Sequence, residues 1–392
     1  MSIFRRICAI TVGLVFLTSG LLKVMDPVGT GLIVTEYFRL VGLGISLGLA
    51  KAFGAVLSMT ELSLAAMLIT GTFRRIAAFG SLILTGCFTI VTALMLIFNP
   101  SMDCGCFGEA IHLSHAESFF KNIVLLLMLT AAFSGKAPEK PGARKYVSFA
   151  LAEAGFIFAL ASCLASLPPI DFTDFAPGNE LMASANDQYE LEDGTFVGYV
   201  YEKNGQRGTF PEDHLPDDSW TFIRRDTVAR SSMDTHADTP VLSFSNAEGE
   251  YLDDLAVYGR VLVISVYDSA KADAAAIADL AKRAAAIGFT PLVLSSGGCE
   301  TLRESIDSPL VSEVYFSDYK TLITLNRKNG GATVIIDGEI IQKFPSAAKA
   351  KDKYLKRAFN RDPMDTTIRA VTRPRIRAQA FLLYTLAILF FV

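Results

Sequence analysis

Long apolar runs fill the first 170 residues of the chain, with short polar connections between them. A membrane-spanning helix needs about 20 predominantly apolar residues. Five runs approach this length and predict five membrane helices, at residues 7–25, 52–70, 76–98, 119–133 and 146–167. The first run lacks a small-x-small cleavage site, so we expect a retained helix rather than a signal peptide.

Two other apolar segments fit this pattern less well. Residues 29–42, GTGLIVTEYFRLVG, contain Glu36 and Arg39 and predict an interfacial or partly re-entrant helix. Residues 378–392, AQAFLLYTLAILFFV, are short for a span. This tail is compatible with a sixth membrane helix or with a hairpin lying in the membrane interface, and we favour the sixth helix.

The pattern becomes polar after residue 170. Residues 168–238 predict a small β-rich segment, in which FVGYVYEKNGQRGTF is a hairpin with Asn204-Gly205 at its tight turn. The sole tryptophan, Trp220, is expected to anchor this small core rather than to stack on a ligand.

Residues 239–362 alternate buried strands with helices. After a leading hairpin at 239–259, the predicted order is β-α-β-α-β-β-α, with a final hairpin turning at Asp337-Gly338. This order resembles the thioredoxin fold. The place of the usual Cys-x-x-Cys reads YDSAKAD, and glycines in RKNGGATVII replace the usual cis-proline. The domain is therefore expected not to carry out dithiol exchange unaided. For its lone thiol, Cys299, an inert and partly buried side chain is favoured over a redox role.

Charge supplies the orientation of the predicted helices. Lys and Arg residues cluster before the first run, between the second and third, and between the fourth and fifth, at Arg5, Arg6, Arg74, Arg75, Lys136, Lys140, Arg144 and Lys145. The positive-inside rule makes this side cytoplasmic, so residues 168–377 are expected to be extracytoplasmic at a bacterial inner membrane. This assignment places four arginines, at 369, 373, 375 and 377, on the extracytoplasmic side, which disagrees with the positive-inside rule. The net charge of −4 and the absence of a long basic stripe argue against nucleic acid as a partner.

The predicted domain boundaries follow from these changes of pattern. They are a membrane domain at 1–135, a cytoplasmic linker at 136–145, a fifth span at 146–167, the β-rich segment at 168–238, the α/β domain at 239–362, and a basic linker with an apolar helix at 363–392.

Two of the six cysteines, Cys104 and Cys106, flank one glycine directly after the third apolar run. On the predicted topology they face an oxidising compartment, where a disulfide is permitted. Gly105 allows the tight turn that such a bond requires. So short a loop gains little from chain entropy, and a strained, accessible disulfide is labile. A redox-active pair is favoured over a structural disulfide, which stays open.

Metal ligation is a weaker alternative for this segment. Cys104, Cys106, His112 and His115 would form a compact Cys₂His₂ set. A solvated pair of histidines is the better interpretation, because His115 directly follows Ser114, the predicted cap of the fourth helix. Cys163, near the outward end of the fifth run, is a candidate partner for the pair, although a packing role is favoured.

Glu61 lies near the middle of the second apolar run, in LSMTELSLAAML. An ionisable group in hydrocarbon is costly, so it should face the bundle interior and have a partner. Lys23, at the outward end of the first run, is within reach as a partner, and Ser58 and Thr60 are near in sequence. A proton relay, a contact with a quinone head group, and a packing hydrogen bond from a protonated Glu61 are all open. No other cofactor is evident.

The segments GLVFLTSGLLKVMDPVG, Glu61 in the second span, and DCGCFG before the fourth helix resemble the DoxX-like superfamily, in particular its MauE branch of methylamine-utilisation proteins. The resemblance covers residues 5–134. It implies a multi-pass inner-membrane protein linked to the maturation of exported proteins, with Cys104 and Cys106 in the redox role. In MauE the implied client is the disulfide-rich small subunit of methylamine dehydrogenase. The appended thioredoxin-like domain departs from that branch.

The first functional hypothesis is a thiol–disulfide oxidoreductase that sits in the lipid bilayer and acts on an exported, cysteine-containing client. The second is a non-enzymatic scaffold with a structural disulfide and an outer domain that only binds. The third is a quinone-linked electron-transfer subunit that depends on Glu61.

Overall fold

A computed structural model describes residues 3–40, 42–98, 105–111, 113–135, 141–182, 195–203, 206–210, 221–229, 240–360 and 362–391. It consists of an N-terminal helical bundle, a small three-stranded sheet, an α/β domain and a long C-terminal helix.

The N-terminal helices are α1 (Ile3–Met25), α2 (Pro27–Leu40), α3 (Leu47–Thr70), α4 (Arg74–Phe98), α5 (His115–Phe133) and α6 (Ala143–Ala165). All except α2 are long and apolar enough to cross a membrane, which gives five candidate spans among the described residues. The five predicted spans are confirmed as helices of spanning length, and the mixed segment forms the shorter α2. The chain is a multi-pass membrane protein.

Local sequence sets the ends of these helices. Ser46 caps α3 by accepting a hydrogen bond from the Leu49 amide, and Gly71 ends it in the left-handed conformation. Ser114 and Glu117 form the predicted capping box at the start of α5.

Helices α1 and α3 pack closely because α1 carries small residues at their contact. A Cβ atom on Gly13 would lie 2.8 Å from Cγ1 of Ile69, and one on Gly20 would lie 2.8 Å from Cγ of Leu62. Small residues at helix contacts let backbones approach in membranes, where packing replaces the hydrophobic effect as the main attraction. This contact fixes which faces of α1 and α3 look at each other.

The α/β domain contains five strands, β5 (Arg260–Val266), β6 (Thr290–Ser295), β7 (Val314–Phe316), β8 (Gly331–Ile336) and β9 (Glu339–Phe344). Their order in the sheet is β7-β6-β5-β8-β9. Strands β5, β6 and β7 are parallel, whereas β8 and β9 are antiparallel to their neighbours. The predicted hairpin turns at Asp337 and Gly338, which both have positive φ.

The helices of this domain are α7 (Asp254–Val257), α8 (Ala274–Ile287), α9 (Cys299–Ser305), α10 (Tyr319–Leu325) and α11 (Asp352–Asn360). Helix α10 was not predicted, so the observed order has one more helix between β7 and β8. Within the described residues, the predicted leading hairpin is reduced to the bridge between Ser245 and Tyr251, followed by α7. Apolar side chains are buried on both faces of the sheet, as in other layered α/β domains.

The three-stranded sheet contains β2 (Thr195–Lys203), β3 (Gln206–Phe210) and β4 (Thr221–Ala229), in the order β3-β2-β4. Lys203 pairs with Gln206, in agreement with the predicted two-residue hairpin connection. Asn204, Gly205 and Trp220 lie outside the described residues.

Helix α12 (Pro363–Phe391) connects the α/β domain back to the bundle. Near its start, Thr367 donates a hydrogen bond to Glu339 of β9. Near its end, Ile388 and Leu389 belong to the apolar core of the bundle. The tail is therefore helical and packs on the membrane helices, while its crossing of the membrane stays a prediction.

Candidate functional site: a buried polar cluster beside Cys106

Strand β1 (Cys106–Glu109) lies between α4 and α5 in the chain and begins at the second cysteine of the pair. Gly105 has a φ of 61°, and the amide of Gly108 donates to its carbonyl over 3.1 Å. A Cβ on Gly105 would lie 2.5 Å from Cγ2 of Ile33 in α2. Only glycine fits here, because the residue has left-handed backbone and touches a neighbouring helix.

The backbone of Cys106 contacts a polar cluster inside the bundle. Lys23 Nζ lies 2.6 Å from Glu61 Oε1 and 3.1 Å from Ser19 Oγ. Ser19 Oγ in turn lies 2.9 Å from Glu61 Oε2 and 2.6 Å from the carbonyl oxygen of Cys106. Lys23 is 4% exposed and Glu61 is 1% exposed. The structure thus brings together Glu61 and Cys106, and the expectation that Lys23 reaches Glu61 is confirmed.

The Lys23–Glu61 pair is built into the helix contact. Ser19 and Lys23 are four residues apart on α1 and so share one face, which α3 covers at Glu61. Because water is excluded, each charge depends on the other, and removal of either partner leaves an uncompensated buried charge. The ammonium also lies 5.3 Å from the centre of the Phe88 ring on α4.

A cavity of about 380 Å³ extends from this cluster between α2, α3 and α4. Lys23, Gly105 and Cys106 line one end of it. Most of its wall is apolar, and the lining side chains of Leu40, Leu94 and Phe98 are exposed on the outer surface of the bundle. Its mouth therefore opens on the apolar outer surface of the bundle.

The α/β domain sits on the same end of the bundle through an ionic contact. Arg327, in the loop between α10 and β8, places Nη2 2.9 Å from Asp26 Oδ2 and 2.8 Å from Glu109 Oε2. Asp26 directly follows α1, and Glu109 ends β1, which starts at Cys106. Burial raises the pKa of Glu109, although the Arg327 guanidinium opposes this shift.

A second ionic contact lies nearby. Lys343 Nζ is 2.7 Å from Asp171 Oδ2, and Lys328 Nζ donates to the carbonyl of Leu164 over 2.6 Å. Burial alone would raise the pKa of Asp171, but the Lys343 ammonium and the hydrogen bonds from Thr173 hold it below its usual value. The ionic contacts of Arg327 and Lys343 hold the α/β domain against the end of the bundle where β1 lies.

The remaining predicted site residues do not join this cluster. Cys163 lines a different cavity of about 710 Å³, together with Arg327 and Lys343. His115 is the first residue of α5. Cys104 and His112 lie outside the described residues, and the described part of the chain holds no group of three metal-ligating side chains.

Sequence reasoning missed Ser19, Asp26 and Arg327. The spacing of Ser19 and Lys23 was the available signal for the first, since residues four apart share a helix face. Asp26 and Arg327 are 301 positions apart, and nothing in either local sequence indicates that they meet. The contact in which Glu153 of α6 accepts a hydrogen bond from Ser63 of α3 over 2.9 Å was not predicted either.

Two protein-family models match parts of this chain. Comparison with curated proteins and with solved structures gives no match. Residues 197–230 match the model of a domain of unknown function, DUF8463. Residues 1–135, which contain Ser19, Lys23, Glu61 and Cys106, match the family model of the methylamine utilisation protein MauE, and this match supports the predicted MauE branch for the membrane bundle.

Proposed function

We propose that this membrane protein exchanges disulfides with exported, cysteine-containing client proteins through Cys104 and Cys106. The observation that carries the proposal is the position of Cys106, whose backbone rests on the buried Ser19–Lys23–Glu61 cluster at the end of a cavity. A cysteine that only stabilised a loop would not need an intramembrane ion pair, which is costly and usually functional.

The exchange follows ordinary thiol–disulfide chemistry. A client thiolate attacks one sulfur of the Cys104–Cys106 disulfide, and the other sulfur of the pair leaves as a thiolate. A second client thiolate then attacks the mixed disulfide, so the client leaves oxidised and the pair gains two electrons. Protons from the client thiols neutralise the two thiolates of the pair.

The polar cluster can hold a proton close to this chemistry. A hydroxyl group has one hydrogen, yet Ser19 Oγ lies within hydrogen-bond distance of two acceptor groups, Glu61 and the Cys106 carbonyl. A proton on Glu61 Oε2 would satisfy both contacts, because Glu61 would then donate to Ser19 and Ser19 to Cys106. We propose Glu61 as the proton relay of the site.

The orientation belongs to the same proposal. Arg6 donates to the carbonyl of Leu68 near the end of α3, and Arg5 to that of Ser134 just after α5. The basic ends of these helices therefore gather at the end of the bundle opposite Asp26 and β1. The positive-inside rule places that basic end in the cytoplasm of a bacterial inner membrane, and Cys106 with the α/β domain outside.

We further propose that the α/β domain is thioredoxin-like and binds the client without chemistry of its own. Its mixed sheet with a final antiparallel hairpin supports this view, and its Arg327 loop lies above β1. This loop occupies the chain position at which thioredoxins carry their cis-proline.

Trapping of the mixed disulfide tests the exchange. A Cys106→Ser variant should leave Cys104 bonded to clients, visible as adducts on non-reducing gels that disappear on reduction. Cys87→Ser, on the lipid-exposed side of α4, is the matched control and should give the wild-type pattern. If neither single variant of the pair forms adducts and the double variant keeps full function, the scaffold alternative is correct.

Labelling of intact cells tests the orientation. After mild reduction, a membrane-impermeant maleimide should reach Cys104 or Cys106 from outside. Labelling only in inverted vesicles would reverse the assigned sides and remove exported proteins as clients.

A further inference from the structure

The cavity beside Cys106 has features of a ligand site that disulfide exchange with a protein client does not require. Its volume of about 380 Å³ lies within the range of small-molecule sites, as does its largely apolar wall with a few polar groups at one end. Its mouth is formed by side chains on the lipid-facing surface. A ligand would therefore enter from the bilayer, which favours a lipophilic molecule over a water-soluble one.

The polar end of the cavity selects a neutral ligand with an acceptor oxygen. Among the described residues, Ser19 and Glu61 supply the hydrogen-bond acceptors of Lys23. An ammonium has three N–H donors, so one is left for an oxygen atom in the cavity. While Glu61 is ionised, its carboxylate 2.6 Å from Lys23 Nζ balances the ammonium, so an anionic amphiphile would find no net positive charge here. The Phe88 ring, which also lines the cavity, supplies an aromatic surface for a planar ring.

We propose that the cavity binds a membrane quinone, which reoxidises the Cys104–Cys106 pair. This inference rests on the proposed function and names the electron acceptor of the same site. The two thiols lose two electrons and two protons as their S–S bond forms, and the quinone takes up both to become the hydroquinone. Lys23 would hold one quinone carbonyl, and Cys106 lines the same end of the cavity.

A reduction assay on the purified full-length protein tests the redox step. The protein is reduced, freed of reductant, and mixed anaerobically with decylubiquinone. One hydroquinone per chain should form, together with the loss of two free thiols. Cys106→Ser should abolish this reaction. Disulfide exchange with a client but no hydroquinone would overturn the quinone proposal and leave the proposed function standing.

A pair of neighbouring substitutions on α3 tests the location. Leu57 lines the cavity, whereas Val56 points to the lipid and is 67% exposed. Leu57→Trp should fill the cavity and lower the rate of quinone reduction by about tenfold or more, whereas Val56→Trp should stay within about twofold of wild type. Equal rates in the two variants would overturn the assignment of the cavity.

Binding can be measured apart from redox chemistry. A photoreactive azido-quinone should label wild type, Val56→Trp and Cys106→Ser, but not Leu57→Trp. If the azido-quinone labels the protein but the Cys106→Ser variant traps no client adducts, the exchange function is refuted and the quinone site stands. Equal labelling of all four proteins would refute the site itself.

Discussion

Cys106 and Cys299 each begin a secondary-structure element, Cys106 the strand β1 in the membrane bundle and Cys299 the helix α9 in the α/β domain. Around Cys106 the bundle collects a hydroxyl, an ammonium and a carboxylate, together with a cavity. Around Cys299, burial raises the pKa of the thiol, and acidic Glu300 and Glu313 raise it further. A raised pKa leaves little reactive thiolate at neutral pH.

The contrast between the two cysteines shows that the fold type does not locate the chemistry in this protein. The α/β domain has the architecture proposed to be thioredoxin-like, but its thiol lies in an unreactive environment. The bundle has a common helical architecture, but it holds a buried ion pair against a cysteine strand. Function follows from the groups around a site rather than from the fold that carries it.

Removal of one charge from the bundle should give the largest effect. Lys23→Met or Glu61→Leu alone should destabilise the protein by about 3–5 kcal/mol, because each leaves a buried charge without its partner. The double variant Lys23→Met/Glu61→Leu should recover most of this loss and still fail to support disulfide exchange. Thermal unfolding in detergent measures stability, and adduct formation measures exchange. Full exchange by the double variant would show that the cluster serves packing only.

Loss of the ionic contact between the two regions should have the next largest effect. Arg327→Ala should cost about 2–4 kcal/mol, since it leaves Asp26 and Glu109 partly buried without a cation. Arg327→Lys should lose less, because it keeps the charge but not the fork-like donor geometry. Thermal unfolding compares both with Lys356→Ala, an exposed control on α11 that should stay within about 0.5 kcal/mol. A loss with Arg327→Ala no larger than that of the control would mean that the contact does not hold the domain.

A smaller, pH-dependent effect should come from Glu109. Because its folded-state pKa is raised, the folded protein binds this proton more tightly than the unfolded chain, and the stability gained is lost as pH rises through the folded pKa. Glu109→Gln imitates the protonated form. It should be more stable than wild type at about pH 8, and the advantage should vanish below about pH 3, where glutamate is protonated in both states. Melting temperatures measured across this range check the sign; a variant less stable than wild type at the higher pH would contradict it.

The smallest effect is expected at the cysteine of the α/β domain. Cys299→Ser should leave disulfide exchange and quinone reduction at wild-type levels, because the thiol takes no part in the Cys106 site. The adduct gel and the hydroquinone assay check this directly. If Cys299→Ser abolished adducts, the two regions would share the chemistry, and the contrast between them would fail.

Much of the architecture could be predicted from local patterns. The apolar runs, the Ser114–Glu117 capping box and the Asp337-Gly338 turn each depend on residues close in the chain, and the structure has all of them. Helix α10 was missed because it is only seven residues long, too short for a helical periodicity to stand out. The contact between the α/β domain and the bundle was not predicted, because no pattern in the sequence around Arg327 or Asp26 indicates that they pair.

The division into an apolar, membrane part and a polar part can be read from the amino-acid sequence alone, because hydrophobic length and charge are properties of continuous segments. It also marked Glu61 and the Cys104–Cys106 pair as unusual for their surroundings. The meeting of Ser19, Lys23, Glu61 and Cys106 becomes visible in the folded chain and not before. The same is true of the contact of Arg327 with Asp26 and Glu109. Apolar periodicity selects the buried face of a helix, but the partner of that face is chosen by packing between segments distant in sequence.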